Sequence, residues 1–373
     1  MAVVKISYHE YIGLSTDAKP DDSAAGASFY ELDTGRCYVT LDGNTWYFKN
    51  CEMSFMQQIG FGLVSTAERW YKIGYTGTMN TSLSDLWSKT GVYTFPSAET
   101  QMEVVSSDNT ADIGTILHTG TDDGGSTTTL VKNEQDFSDV AVGDCVILDK
   151  ATDPEYGFVT GIDGDTIAVA GGFSKGGSAY GRTFNILDYS AKNGAQAVIV
   201  LYLDDTFVRK EEIVILNGTT AVDLVNSDTY RINGFRVIFA GSNGVPTGNL
   251  TLQGDGAGTT YSYIRATYTR AKNIMYTVPY GFDLYVTRLN WAYSIPVNPT
   301  NTCHLYFKAS QHEEFKTPGI FYPCFESTLV NASETTDFEI PKRILTGVDI
   351  KVSGIATNAG TAMCRLEGFL IAT

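Results

Sequence analysis

Apolar and polar positions along the chain follow the two-residue period of β-strands over most of its length. Short runs rich in Val, Ile, Thr, Tyr and Phe recur from Tyr93 to the C-terminus, each bounded by Gly, Asp, Asn or Ser. Runs of this kind, with turn residues between them, are typical of sandwiches and jelly rolls. We therefore predict an all-β fold built from β-sandwich or jelly-roll domains.

The segment from Gly26 to Asn50 has a dense aromatic pattern. It predicts a β-meander of three short strands, separated by turns at Asp33–Gly35 and Asp42–Asn44. A meander of this size buries too little apolar surface to be stable alone. We predict that it docks on a partner or forms an oligomer through its aromatic side chains, which are Phe29, Tyr30, Tyr38, Trp46, Tyr47 and Phe48.

Two segments depart from the strand pattern. Residues 51–74 have helical character, and Ser82–Trp87 carries a capping-box pattern, so short helices are expected there. Between Gly114 and Tyr189 the chain becomes rich in Gly and Asp but keeps strands of its own. We interpret this segment as a small barrel-like module inserted into a surface loop, whose removal leaves the host domain soluble.

These patterns divide the chain into five parts. They are an N-terminal arm and meander (1–50), a connecting segment with short helices (51–92), a β-sandwich domain (93–117 and 185–270), the inserted β module (118–184) and a C-terminal jelly-roll-like domain (271–373).

The charge of the chain excludes some classes of partner. With 26 basic and 42 acidic residues the net charge is −16, and the largest basic cluster is the pair Arg209–Lys210. Binding to a phosphate backbone needs clustered Lys and Arg, so we expect no nucleic-acid partner. The N-terminus lacks an apolar signal segment and no run approaches the length of a membrane span, so we expect no membrane partner. The six cysteines have no CxxC spacing, and we predict free thiols.

The chemistry-bearing residues do not form a recognisable catalytic pattern. Adjacent acidic pairs such as Glu211–Glu212 point to opposite faces of a strand and cannot share a site. Asp163–Asp165 lacks the spacing and the bidentate Glu of a calcium loop, so a hairpin turn is favoured. His304 and His312 do not match zinc spacing, and there is no nucleophile motif or phosphate loop. A glycosidase site with two distant carboxylates stays open. We expect no catalysis, no cofactor and no metal.

Four segments, in order, resemble structural proteins of tailed bacteriophages. They are STDAKPDDSAAGASFYELDTGRCYVTLDGNTWYF (Ser15–Phe48), YKIGYTGTMNTSLSDLWSKTGVYTFPSAETQMEVVSS (Tyr71–Ser107), EEIVILNGTTAV (Glu211–Val222) and YTVPYGFDLYVT (Tyr276–Thr287). The match departs from the family where Ser88–Thr90 precede Gly91, a position at which relatives usually carry Gly-Gly after the Asp-Leu-Trp element.

This resemblance implies a protein of the virion, made in the cytoplasm of the host bacterium. We expect a non-enzymatic capsid decoration, head-fibre or minor capsid protein, assembled as a homo-oligomer with other virion proteins such as the major capsid protein. The alternative is a tail adaptor, fibre or receptor-binding protein, in which Trp291 and Tyr293 could stack on host glycan, although a place in the core or in an interface is favoured for both residues. A polysaccharide-degrading tailspike is a third class, and no acidic groove can be placed for it.

Overall fold

A computed structural model describes residues 4–7, 10–49, 67–173, 180–295, 301–310 and 320–373. Throughout these ranges the chain forms strands and no helix, which confirms the all-β prediction. The chain divides into two compact units, Met1–Glu68 and Arg69–Thr373, and each is described by itself.

The smaller unit is a five-stranded sheet with the strands in sequence order. Its strands are β1 (Val4–Ser7), β2 (Glu10–Gly13), β3 (Ser28–Glu31), β4 (Cys37–Thr40) and β5 (Trp46–Lys49). The last three pair antiparallel as the predicted meander. β2 adds to it in parallel, with Tyr11 opposite Phe29. The meander is therefore extended by two N-terminal strands that the sequence pattern did not reveal.

The larger unit contains the remaining strands of the described chain. They are β6 (Ala67–Met79), β7 (Ser84–Asp85), β8 (Met102–Ser106), β9 (Ile116–Thr121), β10 (Thr129–Val131), β11 (Cys145–Leu148), β12 (Glu155–Asp163), β13 (Thr166–Ala170), β14 (Thr183–Leu187), β15 (Ala195–Leu203), β16 (Arg209–Ile215), β17 (Val222–Asp223), β18 (Arg231–Ala240), β19 (Leu250–Gly254), β20 (Thr260–Ile264), β21 (Tyr276–Thr277), β22 (Phe282–Ser294), β23 (Thr302–Ser310), β24 (Phe321–Val330), β25 (Ser333–Ile344), β26 (Asp349–Ala356) and β27 (Gly360–Ala372).

A three-stranded sheet, β16-β15-β18, lies at the centre of the host domain. Val198, Val200 and Tyr202 on β15 pack against the four-stranded sheet β17-β8-β19-β20. The alternate residues Ala197 and Ile199 pack in the opposite direction, in a second apolar cluster. Successive side chains of a strand point to opposite faces, so this strand is covered on both sides. Two-sided burial accounts for its continuous apolar sequence AQAVIVLYL.

The inserted module supplies that second layer. It is a six-stranded sheet in the order β10-β13-β12-β11-β14-β9 around a core of its own. On β11, Val146 and Leu148 face the module's core, whereas Cys145 and Ile147 pack against the central host sheet. The backbone oxygen of Lys150 also accepts a hydrogen bond from the Ile213 N–H. The module therefore covers an apolar face of its host, and we expect its removal to expose that face rather than to leave the host domain soluble.

The C-terminal domain is a sandwich of two sheets, one of β21-β26-β23-β24 with β7 beside β26, the other of β25-β22-β27-β6. β6 and β7 thus come from the segment predicted to connect domains through short helices, and residues 51–66 of that segment lie outside the described residues. From Ala67 onward the helix prediction is wrong. The run ERWYKIGYTGTM is rich in Trp, Tyr, Ile and Thr, which favour the half-buried surface of a sheet.

A buried ion pair joins the C-terminal sandwich to the host domain. Arg231 on β18 binds both carboxylate oxygens of Asp349 on β26, at 2.9 and 3.1 Å. The guanidinium also donates to the backbone oxygen of Pro96 at 2.7 Å and lies over the Tyr230 ring. Beside this pair, the Thr277 N–H donates to Asn233 Oδ1 and the Asn233 side chain donates to the Thr277 carbonyl. Both charges are fully hydrogen-bonded, so burial does not leave either without a partner.

We predict that Ile147→Ala destabilises the module and the host together. The substitution removes apolar side chain from the layer between the two sheets, and we expect a loss of about 2–5 kcal/mol. Ile162→Ala, in the same module but 36% exposed, is the matched control and should cost less than about 1 kcal/mol. Urea unfolding should show one cooperative transition for both variants. Separate transitions for module and host would contradict the shared layer.

We predict a large effect of Asp349→Asn on stability. The substitution leaves the Arg231 guanidinium buried without its counter-charge, a change that costs about 3–5 kcal/mol. The matched control is Asp337→Asn, because Asp337 pairs with Arg288 at an exposed site, where such pairs contribute less than about 1 kcal/mol. Denaturant midpoints of the two variants measure the difference. Equal losses would show that the buried pair does not hold the domains together.

Candidate docking unit

The N-terminal unit has a small apolar core built around Phe29. Phe29 is fully buried, and Ile12, Ala27 and Cys37 are buried with it. The Trp46 ring meets the Phe29 ring edge-on at 5.9 Å, in the T-shaped arrangement that aromatic pairs favour. Trp46 therefore reaches across from β5 and closes the core over β3.

Lys19 fixes the loop before the meander onto this aromatic surface. Its ammonium group lies 4.0 Å from the centre of the Tyr38 ring and 2.8 Å from the Glu31 carboxylate. Burial opposes ionisation of Glu31, but hydrogen bonds from Lys19 and Thr34 outweigh that effect and lower the pKa of Glu31. The carboxylate is therefore charged at neutral pH and holds the ammonium in place over the ring.

The same loop is held by two further hydrogen bonds. The Trp46 indole N–H donates to the Pro20 carbonyl at 3.0 Å, and the Ser23 N–H donates to the Gly43 carbonyl at 2.8 Å. Gly43 has a φ of +86°, and a Cβ at this position would lie 2.2 Å from the Ser23 carbonyl oxygen. Glycine is therefore required in this turn, and the loop covers one side of the meander.

These contacts change the roles assigned to the predicted interface residues. Phe29 is buried inside its own unit, and Trp46, Tyr30 and Tyr38 are half-buried. The expectation that the aromatic side chains are buried only by a partner is therefore wrong for Phe29, because Lys19, Pro20 and Trp46 already cover that surface. The side chain of Phe48 lies outside the described residues.

Two apolar side chains of the unit face outward. Tyr47 is 51% exposed on β5, and Leu41 is 70% exposed in the turn before it. The sequence pattern did not place Leu41 in the interface, because a single Leu beside Asp42 is typical of a turn. Strands β1 and β5 are also the two edges of the sheet. An edge strand presents backbone groups with which another chain can pair.

The structure contradicts the predicted glycan contacts at Trp291 and Tyr293. Both lie on β22 and are almost fully buried in the sandwich core. Trp291 stacks on Phe325 at 6.2 Å, and the Tyr293 hydroxyl donates to the Asn358 carbonyl at 2.9 Å. Alternation along β22 points both rings inward, so neither can receive a sugar.

Two groups of acidic residues in the described chain lie at turns between strands. Asp163 ends β12 and Thr166 begins β13, so the Gly-Asp segment is the predicted hairpin turn. Carboxylate oxygens of Glu103, Asp223 and Asp255 approach within 4.8 Å of one another. However, Glu103 accepts hydrogen bonds from Gln253 and from the Ala257 N–H, which fix the turn between β19 and β20.

The cysteines and the apolar segments of the described chain do not add residues to the docking unit's exposed surface. Cys145, Cys303, Cys324 and Cys364 carry free thiols. Burial raises the pKa of the Cys303 thiol to about 12, so this thiol stays protonated at neutral pH. No helix in the described ranges is long and apolar enough to cross a membrane.

Comparisons with known proteins give no relative of the chain. No family model, no curated protein and no solved structure matches it.

We predict opposite consequences for two aromatic substitutions in this unit. Phe29→Ala removes the centre of its core and should destabilise the unit by about 3–5 kcal/mol. Tyr47→Ala removes an exposed ring and should change stability by less than about 0.5 kcal/mol. Hydrogen exchange of the backbone amides of β3 and β4 measures both effects. Equal protection in the two variants would show that Phe29 does not form the core.

Proposed function

We propose that this protein is a non-enzymatic structural component of a tailed-phage virion, associated with the capsid as a decoration, head-fibre or minor capsid protein. Four sequence segments in the order of that family support the proposal. The observation that carries it is the N-terminal unit, a small sheet with its own core that leaves Tyr47 and Leu41 exposed. A larger all-β unit follows it along the chain.

The outward surface of the N-terminal unit suits protein docking. Tyrosine contributes a large, amphipathic contact area and is enriched among residues that dominate binding energy. The edge strand β5 carries Tyr47, so a partner can contact its ring and pair with its backbone together. In this proposal the unit attaches the protein to another virion protein.

Incorporation into particles tests this attachment. We expect a chain that begins at Ala67 to be absent from purified particles, and Tyr47→Ala to reduce occupancy about tenfold, equivalent to about 1.4 kcal/mol of binding energy. Tyr280→Ala is the control, because this tyrosine is 67% exposed but lies in the larger unit. Occupancy is measured by quantitative mass spectrometry of particles made with each variant.

Two outcomes of this experiment would count against the proposal. Normal occupancy of the chain that begins at Ala67 would remove the docking role of the N-terminal unit. Separation of heads from tails provides the second readout. Recovery of the protein only with tails would replace the capsid assignment by the tail adaptor or fibre.

A further inference from the structure

A groove opens where the module meets the edge of the central host sheet. It has a volume of about 360 Å³. Gly143, Phe158 and Tyr189 form one wall, from the module and the segment that follows it, and Val237, Phe239 and Ala240 of β18 form the other. The shared layer between module and host therefore ends in an open site that belongs to both.

Three aromatic rings converge in this groove. Phe239 is buried, and its ring centre lies 6.2 Å from that of Phe158 and 6.3 Å from that of Tyr189. Phe158 remains 40% exposed and Tyr189 43% exposed. Water therefore contacts two adjacent aromatic side chains, and a ligand that displaced this water would gain hydrophobic stabilisation.

The groove has no charged side chain among the described residues that line it. The chain carries a net charge of −16, yet neither a carboxylate nor an ammonium group forms a wall. A phosphate, a carboxylate or an ammonium ligand would lose its hydration without gaining a counter-charge. The lining therefore favours an uncharged ligand.

The open shape selects further among uncharged ligands. A wholly apolar ligand would keep much of its surface in water, because the groove is open to solvent and cannot enclose it. A ligand with one apolar face and a polar rim avoids this cost. The phenol of Tyr189 and the hydroxyl of Thr269 can donate to or accept from such a rim.

We propose that the groove binds a neutral saccharide. The C–H face of a pyranose ring would stack on Phe158 and Tyr189, and its hydroxyl groups would remain in water or bind Thr269. The volume is at the lower end of the range of about 300–1,000 Å³ for ligand pockets, which suits one or two sugar rings. This site is distant in sequence from the buried Trp291 and Tyr293, and it does not depend on the docking role of the N-terminal unit.

Saturation-transfer NMR on the full chain tests the proposal. The probes are the methyl glycosides of glucose, galactose, mannose and N-acetylglucosamine, with glucuronate as a charged comparison. We expect transfer to the ring C–H protons of at least one neutral glycoside, with a dissociation constant on the order of 1 mM. Glucuronate should bind more weakly than glucoside.

Substitutions locate the binding in the groove. Tyr189→Ala and Phe158→Ala should each weaken the affinity at least about fivefold, whereas Tyr280→Ala, at an exposed tyrosine outside the groove, should leave it unchanged. Unfolding midpoints equal to that of the unsubstituted protein establish that each variant is folded. If Phe158→Ala unfolds, the affinity of Tyr189→Ala alone decides whether the glycoside binds in the groove.

Three results would overturn the proposal. The first is no transfer from any neutral glycoside at about 10 mM, a concentration that detects binding far weaker than expected. The second is transfer that both groove substitutions leave unchanged. The third is binding of N-acetyltyrosinamide, sensitive to Tyr189→Ala, without binding of any sugar, which would assign the groove to a protein side chain.

Discussion

Burial of the three-stranded sheet β16-β15-β18 on both faces is the constraint on which the larger unit depends. A sheet covered on one side exposes an apolar face unless alternate residues are polar. Ala197 and Ile199 are apolar on the second face of β15, so the module must cover them. The module sheet therefore carries apolar residues on both of its own faces, as Val146 and Ile147 show. The groove lies at the edge of this layer, beside strand β18.

The smaller unit is under a different constraint, because its sheet has few apolar side chains with which to form a core. Its core depends on Phe29 and Trp46, and a charged side chain completes it, because the methylene stem of Lys19 can cover aromatic surface while its ammonium group stays paired with Glu31. The Lys19 side chain and its ion pair thus cover part of the aromatic core, which a larger domain would cover with apolar side chains. The core of the unit is therefore complete without the Tyr47 ring, which stays exposed.

Much of this architecture follows from local sequence pattern, and the remainder depends on distant partners. The alternation of β-formers predicted the all-β fold, the meander and the strands of the module. The pattern could not show which apolar residues of β15 face the module. A continuous apolar run is compatible with a strand covered on both faces and with a buried helix segment. It also misassigned Ser84–Asp85, because the role of Asp85 depends on its ion pair with Lys351, far along the chain. A glycan contact at Trp291 stayed open beside the favoured place in the core, because sequence alone does not say which face of a strand is covered.

The order of strands in the C-terminal sandwich has a consequence for synthesis of the protein. β6 is made early, but its sheet neighbour β27 is made after all the other described strands. At a translation rate of roughly 5–20 residues per second, the apolar face of β6 waits about 15–55 s for its neighbour to be made. Trp70 and Met79 belong to this apolar face of β6, which stays uncovered until β27 is made. The host layers can assemble while later strands are still being made, whereas the C-terminal sandwich closes only after β27 has left the ribosome.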